Sequence, residues 1–272
     1  MLKINTVILN DGNCIPQLGF GTFKMTEEQA YDSVLKALEF GYRHIDTAAI
    51  YKNEIGVGKA VHDSPVRRED IFLVSKVWND RHGFDETVKA FEETLAKLQT
   101  DYLDLYLIHW PKEKNSETWK AMIELKKQGR VKSIGVSNFK KHHLDKIIED
   151  TGVIPAVNQV ELHPQFQQEE LREYSKKHSI CIESWGPLMQ GQIFGKSEME
   201  ELAKKKNRTI AQITLRWHIQ KGFIVLPKSV NPERIKSNRE IYDFELSLSD
   251  MKFIDKLNLN RRIGPDPDTI TF

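Results

Sequence analysis

"IFLVSKVWNDRHGFDETVKAFEETLAKLQTDYLDLYLIHW" occupies residues 71–110 and contains two apolar runs with an amphipathic segment between them. The apolar runs, at 71–78 and 102–110, predict buried β-strands, because strands covered on both faces are nearly continuous in hydrophobic residues. The segment at 85–98 repeats hydrophobic residues at helical spacing and predicts an amphipathic helix. A strand, a helix and a second strand in this order indicate parallel pairing through a right-handed crossover.

The same alternation continues outward from this unit in both directions. Further strands are predicted at residues 18–22, 44–48, 131–138, 156–162, 180–187 and 222–229, which makes eight in all. Helices are predicted at residues 26–41, 53–63, 116–129, 141–150, 168–178, 197–221, 231–241 and 249–257. Thr26 and Gln29 match a capping box at the start of the first helix. Asn207 is expected to break the longest helix, and Ser249 is the predicted N-cap of the last one.

This pattern predicts an α/β protein, and eight such units close naturally into a (β/α)₈ TIM barrel. An open doubly wound sheet is the alternative, but that fold favours a G-x-G-x-x-G turn after its first strand. Here "GFGTFK" at 19–24 ends in Lys24 instead of glycine. Before the first unit, "TVIL", "NDGN" and "CIPQL" at 6–18 predict a β-hairpin. No linker-like segment interrupts the chain, so we expect a single domain over residues 1–272.

The composition argues against several classes of protein. A formal net charge of +1 with no basic stripe is not typical of proteins that bind nucleic acid or a membrane surface. No apolar run reaches the roughly 18 residues of a membrane-spanning helix, and residues 1–13 are too polar for a signal peptide. Cys14 and Cys181 belong to no CxxC motif or Cys/His cluster, so no metal site is predicted. We expect a reduced, cytoplasmic protein, and a monomer, since no oligomerisation element is visible.

Polar residues recur at the predicted C-terminal ends of the strands, where the active sites of barrel enzymes lie. Asp46, Lys76 and His109 end three successive strands, and Tyr51 lies in the loop that follows Asp46. Lying near the ends of later strands are Gln159, Glu161, Lys228 and Ser229. Taken singly, each of the first four has a structural explanation: Asp46 could cap a helix, Lys76 could be ion-paired, His109 could be a core histidine and Tyr51 could be a packing aromatic. Their convergence on one face favours catalysis.

These four side chains suit proton donation to an oxygen atom. A phenol with a pKa of about 10 donates a proton near neutral pH only if a neighbouring cation lowers that pKa. Lys76 would supply the cation, and Asp46 would hold Lys76 charged and oriented. Tyr51 and His109 would then face one developing alkoxide, as in general acid catalysis on a carbonyl group. Reduction also needs two electrons, and since the sequence offers no metal ligands, an organic cofactor is implied.

Six motifs in the chain resemble the aldo-keto reductase family. They are "GYRHIDTAAIYKNE" (41–54), "LVSKVW" (73–78), "LDLYLIHWP" (103–111), "IGVSNF" (134–139), "VNQVELHP" (157–164) and "VLPKSVNPERIKSN" (225–238). A seventh stretch, "ESWGPLMQGQ" (183–192), is similar to the bacterial branch that includes the 2,5-diketo-gluconate reductases. The resemblance implies a barrel closed at its bottom by the hairpin, with a C-terminal loop that sets substrate choice. It also implies NADPH-dependent reduction of aldehydes or ketones to alcohols.

The resemblance assigns roles to individual residues. Tyr51 becomes the proton donor, Lys76 paired with Asp46 tunes its pKa, and His109 orients the carbonyl oxygen. Ser137, Asn138 and Gln159 match the positions that bind the nicotinamide carboxamide, and Trp185 matches the aromatic stacked on the ring. The remaining implied cofactor contacts are Thr22, Asp46, Gly186, Pro187, Leu188, Lys228, Ser229, Val230, Asn231, Arg234 and Asn238. The substrate mouth is expected to contain Phe23, Trp78, His109 and Trp110.

The last cofactor group, from Lys228 to Asn238, is matched to the adenosine 2′-phosphate and the adenine. A lysine charge, an arginine fork and a helix N-terminus together suit a phosphate, which favours NADPH over NADH. The alternative is a solvated basic helix start, and Trp185 could likewise be a plain core aromatic.

Two other functions fit the same residues. Lys76 could form a Schiff base with a carbonyl substrate, although an adjacent aspartate would keep it charged. Alternatively, the barrel could bind NADPH as a non-catalytic sensor or regulatory protein. The leading hypothesis is a reductase of small carbonyl compounds, among them keto-sugars, diketones and compounds that resemble methylglyoxal.

Overall fold

The computed structural model describes residues 5–272, which contain ten β-strands; residues 1–4, the start of the predicted domain, lie outside the described residues. Strands β1 (Thr6–Ile8) and β2 (Cys14–Pro16) pair antiparallel as the predicted hairpin. The other eight form one parallel sheet in chain order: β3 (Phe20–Gly21), β4 (His44–Asp46), β5 (Phe72–Val77), β6 (Leu103–Ile108), β7 (Val131–Ser137), β8 (Val157–Glu161), β9 (Cys181–Trp185) and β10 (Ile224–Val225).

The sheet closes on itself between its first and last strands. Gly19 N donates to Val225 O at 2.9 Å, and Gly21 N donates to Pro227 O at 3.1 Å. A parallel bridge between Leu18 and Val225 accompanies these bonds. The prediction of a (β/α)₈ barrel is therefore confirmed, and the open doubly wound sheet is excluded.

Helices alternate with the barrel strands and bury their apolar faces against them. They are α1 (Glu27–Glu39), α2 (Glu54–Asp63), α3 (Phe84–Leu98), α4 (Asn115–Lys127), α5 (Lys141–Thr151), α6 (Glu169–Lys177), α7 (Ser197–Lys206), α8 (Ile210–Gln220), α9 (Pro232–Arg239) and α10 (Leu248–Asp255). The capping box of Thr26 and Gln29 is present, and Asn207, with a φ of 51°, ends α7 as predicted. None of the described helices has a long enough apolar stretch to cross a membrane.

The predicted N-cap of the last helix is wrong. Ser247, and not Ser249, caps α10, and its hydroxyl accepts a hydrogen bond from the backbone N–H of Asp250 at 3.2 Å. The Asp250 carboxylate in turn accepts from the backbone N–H of Ser247 at 2.9 Å. This reciprocal pair needs an acidic or amide residue three positions after the cap. Ser247 has Asp250 there, whereas Ser249 has Lys252.

The hairpin of β1 and β2 covers one end of the barrel. Leu9 and Ile15 are buried in one apolar cluster together with strand residues Phe72, Val74, Leu105, Leu107, Ala156, Val157 and Ile224. Asn10 Nδ2 also donates to Pro155 O at 2.9 Å, shortly before β8 begins. Because these contacts fall toward the N-terminal ends of the strands, the hairpin closes the bottom of the barrel, as the resemblance implied.

Strand residues that face the barrel interior change from apolar to polar toward the C-terminal ends. Phe72 and Val74 of β5 belong to the interior cluster, and Lys76 is the next residue on the same face. On β8, Val157 is followed on its face by Gln159 and Glu161. The bottom half of the barrel is thus mainly an apolar core, with His44 beside Phe72 as a polar exception, while most buried polar groups collect in the top half.

Candidate active site

Asp46, Lys76, Tyr51 and His109 lie together at the C-terminal end of the barrel. The Lys76 Nζ donates to Asp46 Oδ1 at 2.7 Å and to the carbonyl of Thr47 at 2.8 Å. The same ammonium lies 5.1 Å from the centre of the Tyr51 ring. That ring stands edge-on to the His109 imidazole, with 5.6 Å between the centroids. The four residues singled out in the sequence therefore share one environment.

The loop between β4 and α2 fixes the position of Tyr51. It forms a 3₁₀ turn over Ala49–Tyr51 and then passes through Lys52, whose φ is 55°. Asn53 is fully buried behind this turn and donates to the carbonyls of Thr22 and Met25, at 3.0 and 3.2 Å. Because its amide satisfies buried carbonyls of the preceding loop, Asn53 ties the tyrosine-bearing turn to the barrel.

Lys76 and Asp46 form a buried ion pair. Their exposed fractions are 0% and 3%. Burial acts to lower the pKa of Lys76, but the neighbouring Asp46 and Tyr51 overcome this effect, so its pKa is raised overall. Lys76 is therefore an ammonium at neutral pH, as the sequence predicted.

The pKa of Tyr51 departs from the expectation. Burial raises this pKa more than the charge and hydrogen bonding of Lys76 lower it, and Asp46 raises it further. The sequence predicted a net lowering by Lys76, but how strongly the surrounding side chains desolvate the half-buried Tyr51 could not be judged from local pattern. In the free protein Tyr51 thus stays protonated at neutral pH, and Lys76 makes it a stronger acid only relative to the same buried phenol without a cation.

His109 is held as a neutral imidazole. Burial lowers its pKa well below the usual range, and the positive charge of Lys76 lowers it further. Its Nδ1 has no hydrogen-bond partner among residues 5–272, and Trp78 packs edge-on against its ring at 5.0 Å. A neutral imidazole carries one N–H, which can be donated to a substrate oxygen without adding a charge.

The residues that the resemblance assigns to the nicotinamide surround this cluster. Asn138, with a φ of 65°, donates through Nδ2 to the His109 carbonyl and to Ser137 Oγ, both at 3.0 Å. Trp185 Nε1 donates to Asn138 Oδ1 at 2.8 Å. Gln159 Nε2 donates to Asp46 Oδ2 at 2.8 Å and to Glu183 Oε2 at 2.7 Å. Since both amide hydrogens of Gln159 are used, its oxygen is the group left to accept from a carboxamide.

Thr22 and the turn after β9 frame the same end of the barrel. Thr22 Oγ1 donates to the Asp46 carbonyl at 3.0 Å. Gly186 has a φ of 64°, the left-handed region that favours glycine, and an added Cβ would meet open space there. Pro187 is buried and Leu188 is half-buried beside it.

The start of α9 carries unneutralised positive charge. Lys228 and Arg234 are exposed, and neither forms an ion pair within residues 5–272. Partial desolvation of its ammonium lowers the pKa of Lys228, and so does the nearby ammonium of Lys24, which the sequence analysis did not assign to the site. Free cations beside a helix N-terminus fit a phosphate group, as the 2′-phosphate of NADPH would require.

One detail of this segment differs from the sequence prediction, and a second adds to it. β10 ends at Val225, so Lys228 and Ser229 lie in the loop after the strand and not at its end. Asn231 Oδ1 accepts the backbone N–H of Arg234 at 3.1 Å, because Asn231 is the N-cap of α9. Val230 is exposed in this loop and Asn238 is buried in the helix.

Aromatic side chains line the entrance to the cluster. Phe23 lies 5.0 Å from the Tyr51 ring, and Trp78 packs on His109. Phe272, which the sequence analysis did not single out, stacks on Trp78 at 5.8 Å and 10°. It also stands edge-on to Trp110 at 5.4 Å. The sequence signals available for Phe272 were its aromatic side chain and its place in the C-terminal segment that the resemblance connects with substrate choice.

The tail that carries Phe272 is anchored to the barrel. The Glu161 carboxylate accepts the backbone N–H groups of Ile263 and Gly264, at 2.6 and 3.0 Å. Lys140 Nζ lies 2.6 Å from the carboxylates of Asp266 and Asp268. These contacts hold the tail beside the aromatic entrance.

His142, His143 and Asp268 lie close enough to face one metal ion. However, the ammonium of Lys140 already forms an ion pair with Asp268. His143 Nδ1 also accepts the backbone N–H of Lys140 at 3.1 Å, which places its own hydrogen on Nε2, the atom that faces Asp268. We interpret the cluster as an ion-pair clamp on the tail.

Comparison with known proteins identifies the family. The sequence profile of the Aldo/keto reductase family matches residues 17–259. Glyoxal reductase of Bacillus subtilis (strain 168) is 49% identical over 270 residues, and methylglyoxal reductase DkgA of Escherichia coli (strain K12) is 49% identical over 273 residues; each alignment covers 98% of both chains. A variant of Gox0644 in complex with NADPH has a TM-score of 0.96 at 46% identity, covering 99% of this chain and 100% of the other.

A more distant structure has the same fold. An aldo-keto reductase of Bombyx mori in complex with NADP has a TM-score of 0.91 at 34% identity, covering 98% of this chain and 97% of the other. The matches extend over nearly the whole chain, and the bacterial relatives confirm the branch that the sequence predicted. The chain belongs to the aldo/keto reductase family.

Proposed function

We propose that this protein reduces small aldehydes, ketones and 1,2-dicarbonyl compounds, with Tyr51 as the proton donor. As a member of its family, the chain is an NADPH-dependent oxidoreductase that reduces carbonyl groups. The observation that carries the assignment of the donor is the Lys76 ammonium, held by Asp46 at 2.7 Å and placed against the Tyr51 ring. Relatives named glyoxal reductase and methylglyoxal reductase support the substrate class and weigh against a non-catalytic sensor.

NADPH, when bound, would supply the hydride that carbonyl reduction needs. Ser137, Asn138, Gln159 and Trp185 would hold its nicotinamide end, and Lys228 and Arg234 would hold the phosphate end. The His109 N–H and the Tyr51 O–H would both donate to the carbonyl oxygen and polarise it. As negative charge develops on that oxygen, the Tyr51 proton moves to it, and the Lys76 ammonium stabilises the phenolate that remains.

The surroundings of Lys76 weigh against the Schiff-base alternative. A nucleophilic amine must be deprotonated, whereas the pKa of Lys76 is raised by its neighbours. Its Nζ already donates to Asp46 and to the Thr47 carbonyl. Lys76 is therefore better suited to electrostatic support of Tyr51 than to attack on a substrate.

The entrance supports a small, uncharged substrate. Phe23, Trp78, Trp110 and Phe272 would form apolar walls around the carbonyl group, while Tyr51 and His109 provide the hydrogen bonds to its oxygen. Apolar walls favour compounds whose remaining atoms need little solvation.

Assays of NADPH oxidation test this function directly. We expect turnover with glyoxal and methylglyoxal, and lower kcat/KM with a keto-sugar or a charged keto acid, because those must bury more polar groups against the aromatic walls. The panel should include a simple aldehyde and a diketone. Tight NADPH binding without turnover of any of these compounds would contradict the proposal and favour the sensor.

A second measurement tests the phosphate site. We expect Arg234→Ala to weaken NADPH binding by about 10-fold or more, since a charge-assisted contact contributes about 1.5–3 kcal/mol. NADH lacks the 2′-phosphate, so its affinity should change by less than about 2-fold. Lys236→Ala, an exposed cation on the same helix, is the matched control. Equal losses for the two cofactors, measured by fluorescence titration, would be inconsistent with a 2′-phosphate contact.

We also propose a single domain over residues 1–272 that acts as a cytoplasmic monomer with no nucleic-acid partner. The closed barrel, to which both the hairpin and the C-terminal tail are attached, supports the single domain. The near-neutral net charge of +1 supports the absence of a nucleic-acid partner.

A further inference from the structure

Two buried ionisable residues, Glu183 on β9 and His44 on β4, lie under the Lys76–Asp46 pair. Both side chains are fully buried. His44 Nε2 lies 3.4 Å from Glu183 Oε1, and neither atom has a hydrogen-bond partner elsewhere in residues 5–272. Unpartnered polar atoms at this depth are costly, and a proton shared between these two atoms would remove that cost for both.

The hydrogen-bond partner of His44 Nδ1 indicates which atom of the His44–Glu183 pair can donate a hydrogen bond. His44 Nδ1 is 3.1 Å from the Pro16 carbonyl. A carbonyl oxygen only accepts, so Nδ1 carries the hydrogen and neutral His44 presents a bare lone pair at Nε2. That lone pair and an ionised Glu183 would be two acceptors facing each other. One proton between them would resolve this conflict, either on Glu183 as a carboxylic acid or on His44 as an imidazolium.

The surrounding charges favour the carboxylic acid. Gln159 Nε2 bridges Glu183 and Asp46, at 2.7 and 2.8 Å. An ionised Glu183 would therefore place a second negative charge beside the Asp46 carboxylate, on the same amide group, which disfavours the ionised form. Burial, and then the charge of Asp46, raise the pKa of Glu183 to about 8. Burial lowers the pKa of His44 to about 4. The pair is thus uncharged at neutral pH.

Few other ionisable groups act on this pair. Asp104 acts on His44, and Cys181, on the same face of β9, interacts with Glu183. From the opposite side, β10 contributes only Ile224 and Val225. The charges that bear on Glu183 are therefore mainly those of Asp46 and Lys76.

We propose that Glu183 is a positioning residue that works in its protonated form, sharing one proton with His44 so that the charge of Lys76 serves only Asp46 and Tyr51. The inference rests on the proposed function, because it concerns the same proton donor. Loss of the Glu183 proton would add a negative charge that raises the pKa of both Tyr51 and Lys76. Tyr51 would then hold its proton more tightly and donate it more slowly to the carbonyl oxygen.

The variant Glu183→Gln isolates this effect. Its amide can donate to His44 Nε2 and accept from Gln159, which is the pattern of the protonated acid, but it cannot ionise. We expect kcat/KM at pH 7 to stay within about 2-fold of the wild-type value, since the hydrogen bonds are kept. The wild-type rate should fall as pH rises through about 8, where Glu183 ionises. In the variant this fall should move to higher pH.

Glu54→Gln is the matched control, because Glu54 is also a buried carboxyl, hydrogen-bonded to Ser75 at 2.7 Å. It should leave the alkaline limb of the pH profile in place. Identical alkaline limbs in the wild type and Glu183→Gln would overturn the proposal.

Infrared spectroscopy tests the protonation state without any substrate. The wild type at pH 7 should show the C=O stretch of a buried carboxylic acid, which disappears at alkaline pH and is missing in Glu183→Gln. A wild-type spectrum with no band that the variant removes would overturn the proposal. The wild type could also show the band and bind NADPH but reduce no carbonyl compound. That result would contradict the proposed function and the positioning role of Glu183, but it would still support a protonated Glu183.

Discussion

Tyr51→Phe is expected to lower kcat by about 10²- to 10⁴-fold, the range that a positioned general acid contributes. Phenylalanine keeps the ring that packs on Phe23 and His109 but removes the only proton that Tyr51 can donate. Because the hydroxyl serves the transition state and not the cofactor, NADPH affinity should change by less than about 3-fold. Single-turnover kinetics with methylglyoxal and a fluorescence titration with NADPH measure the two quantities.

Tyr31→Phe provides the control for loss of a tyrosine hydroxyl. The Tyr31 hydroxyl donates to Asp63 at 3.0 Å on the protein surface. Its removal should leave kcat unchanged. If Tyr51→Phe retained the wild-type rate, Tyr51 could not be the proton donor, and the His109 imidazole would become the next candidate.

Lys76→Met should reduce both stability and activity. Without the ammonium, the Asp46 carboxylate is left buried with no opposite charge, which costs about 3–5 kcal/mol of unfolding free energy. Activity should fall by at least about 10²-fold, because nothing then stabilises the phenolate of Tyr51. Denaturant unfolding and steady-state assays measure the two losses.

The double variant Lys76→Met with Asp46→Asn separates the two effects. Removing both charges should restore much of the lost stability, because no uncompensated charge stays buried, but activity should remain low. Lys97→Met is the control, since Lys97 is half-exposed and lies 3.8 Å from Glu54. It should change stability by less than about 1 kcal/mol. A Lys76→Met protein with full activity would exclude an electrostatic role for Lys76.

Much of the fold could be predicted because its signals are local. The alternation of apolar runs and amphipathic segments recurs within about 40 residues, and parallel strands joined by short crossovers leave few topologies open. The same regularity indicated where Asp46, Lys76 and His109 would meet, since the ends of parallel strands lie at one edge of the barrel. Boundaries were less certain, as Ser247 and the early end of β10 show.

The residues that the sequence analysis missed share one property: their partners are distant in the chain. Phe272 stacks on Trp78, and Glu183 meets His44 across the barrel. Glu183 stands two residues before Trp185 and so on the same strand face, but its neighbour on the opposite strand has no local signature. Closure of the sheet brings Glu183 to His44, and the anchored tail brings Phe272 to Trp78.

The amino-acid sequence by itself determined the barrel, its polar end and the four side chains gathered there, because periodicity and strand order fix which faces meet. Tertiary structure alone decided how firmly Tyr51 and Glu183 hold their protons. The pKa values of Tyr51 and Glu183 depend on how deeply each group is buried and on charges from other strands, chiefly Lys76 and Asp46. Desolvation and Coulomb energies are set by distances in the folded chain, and no segment of sequence carries those distances.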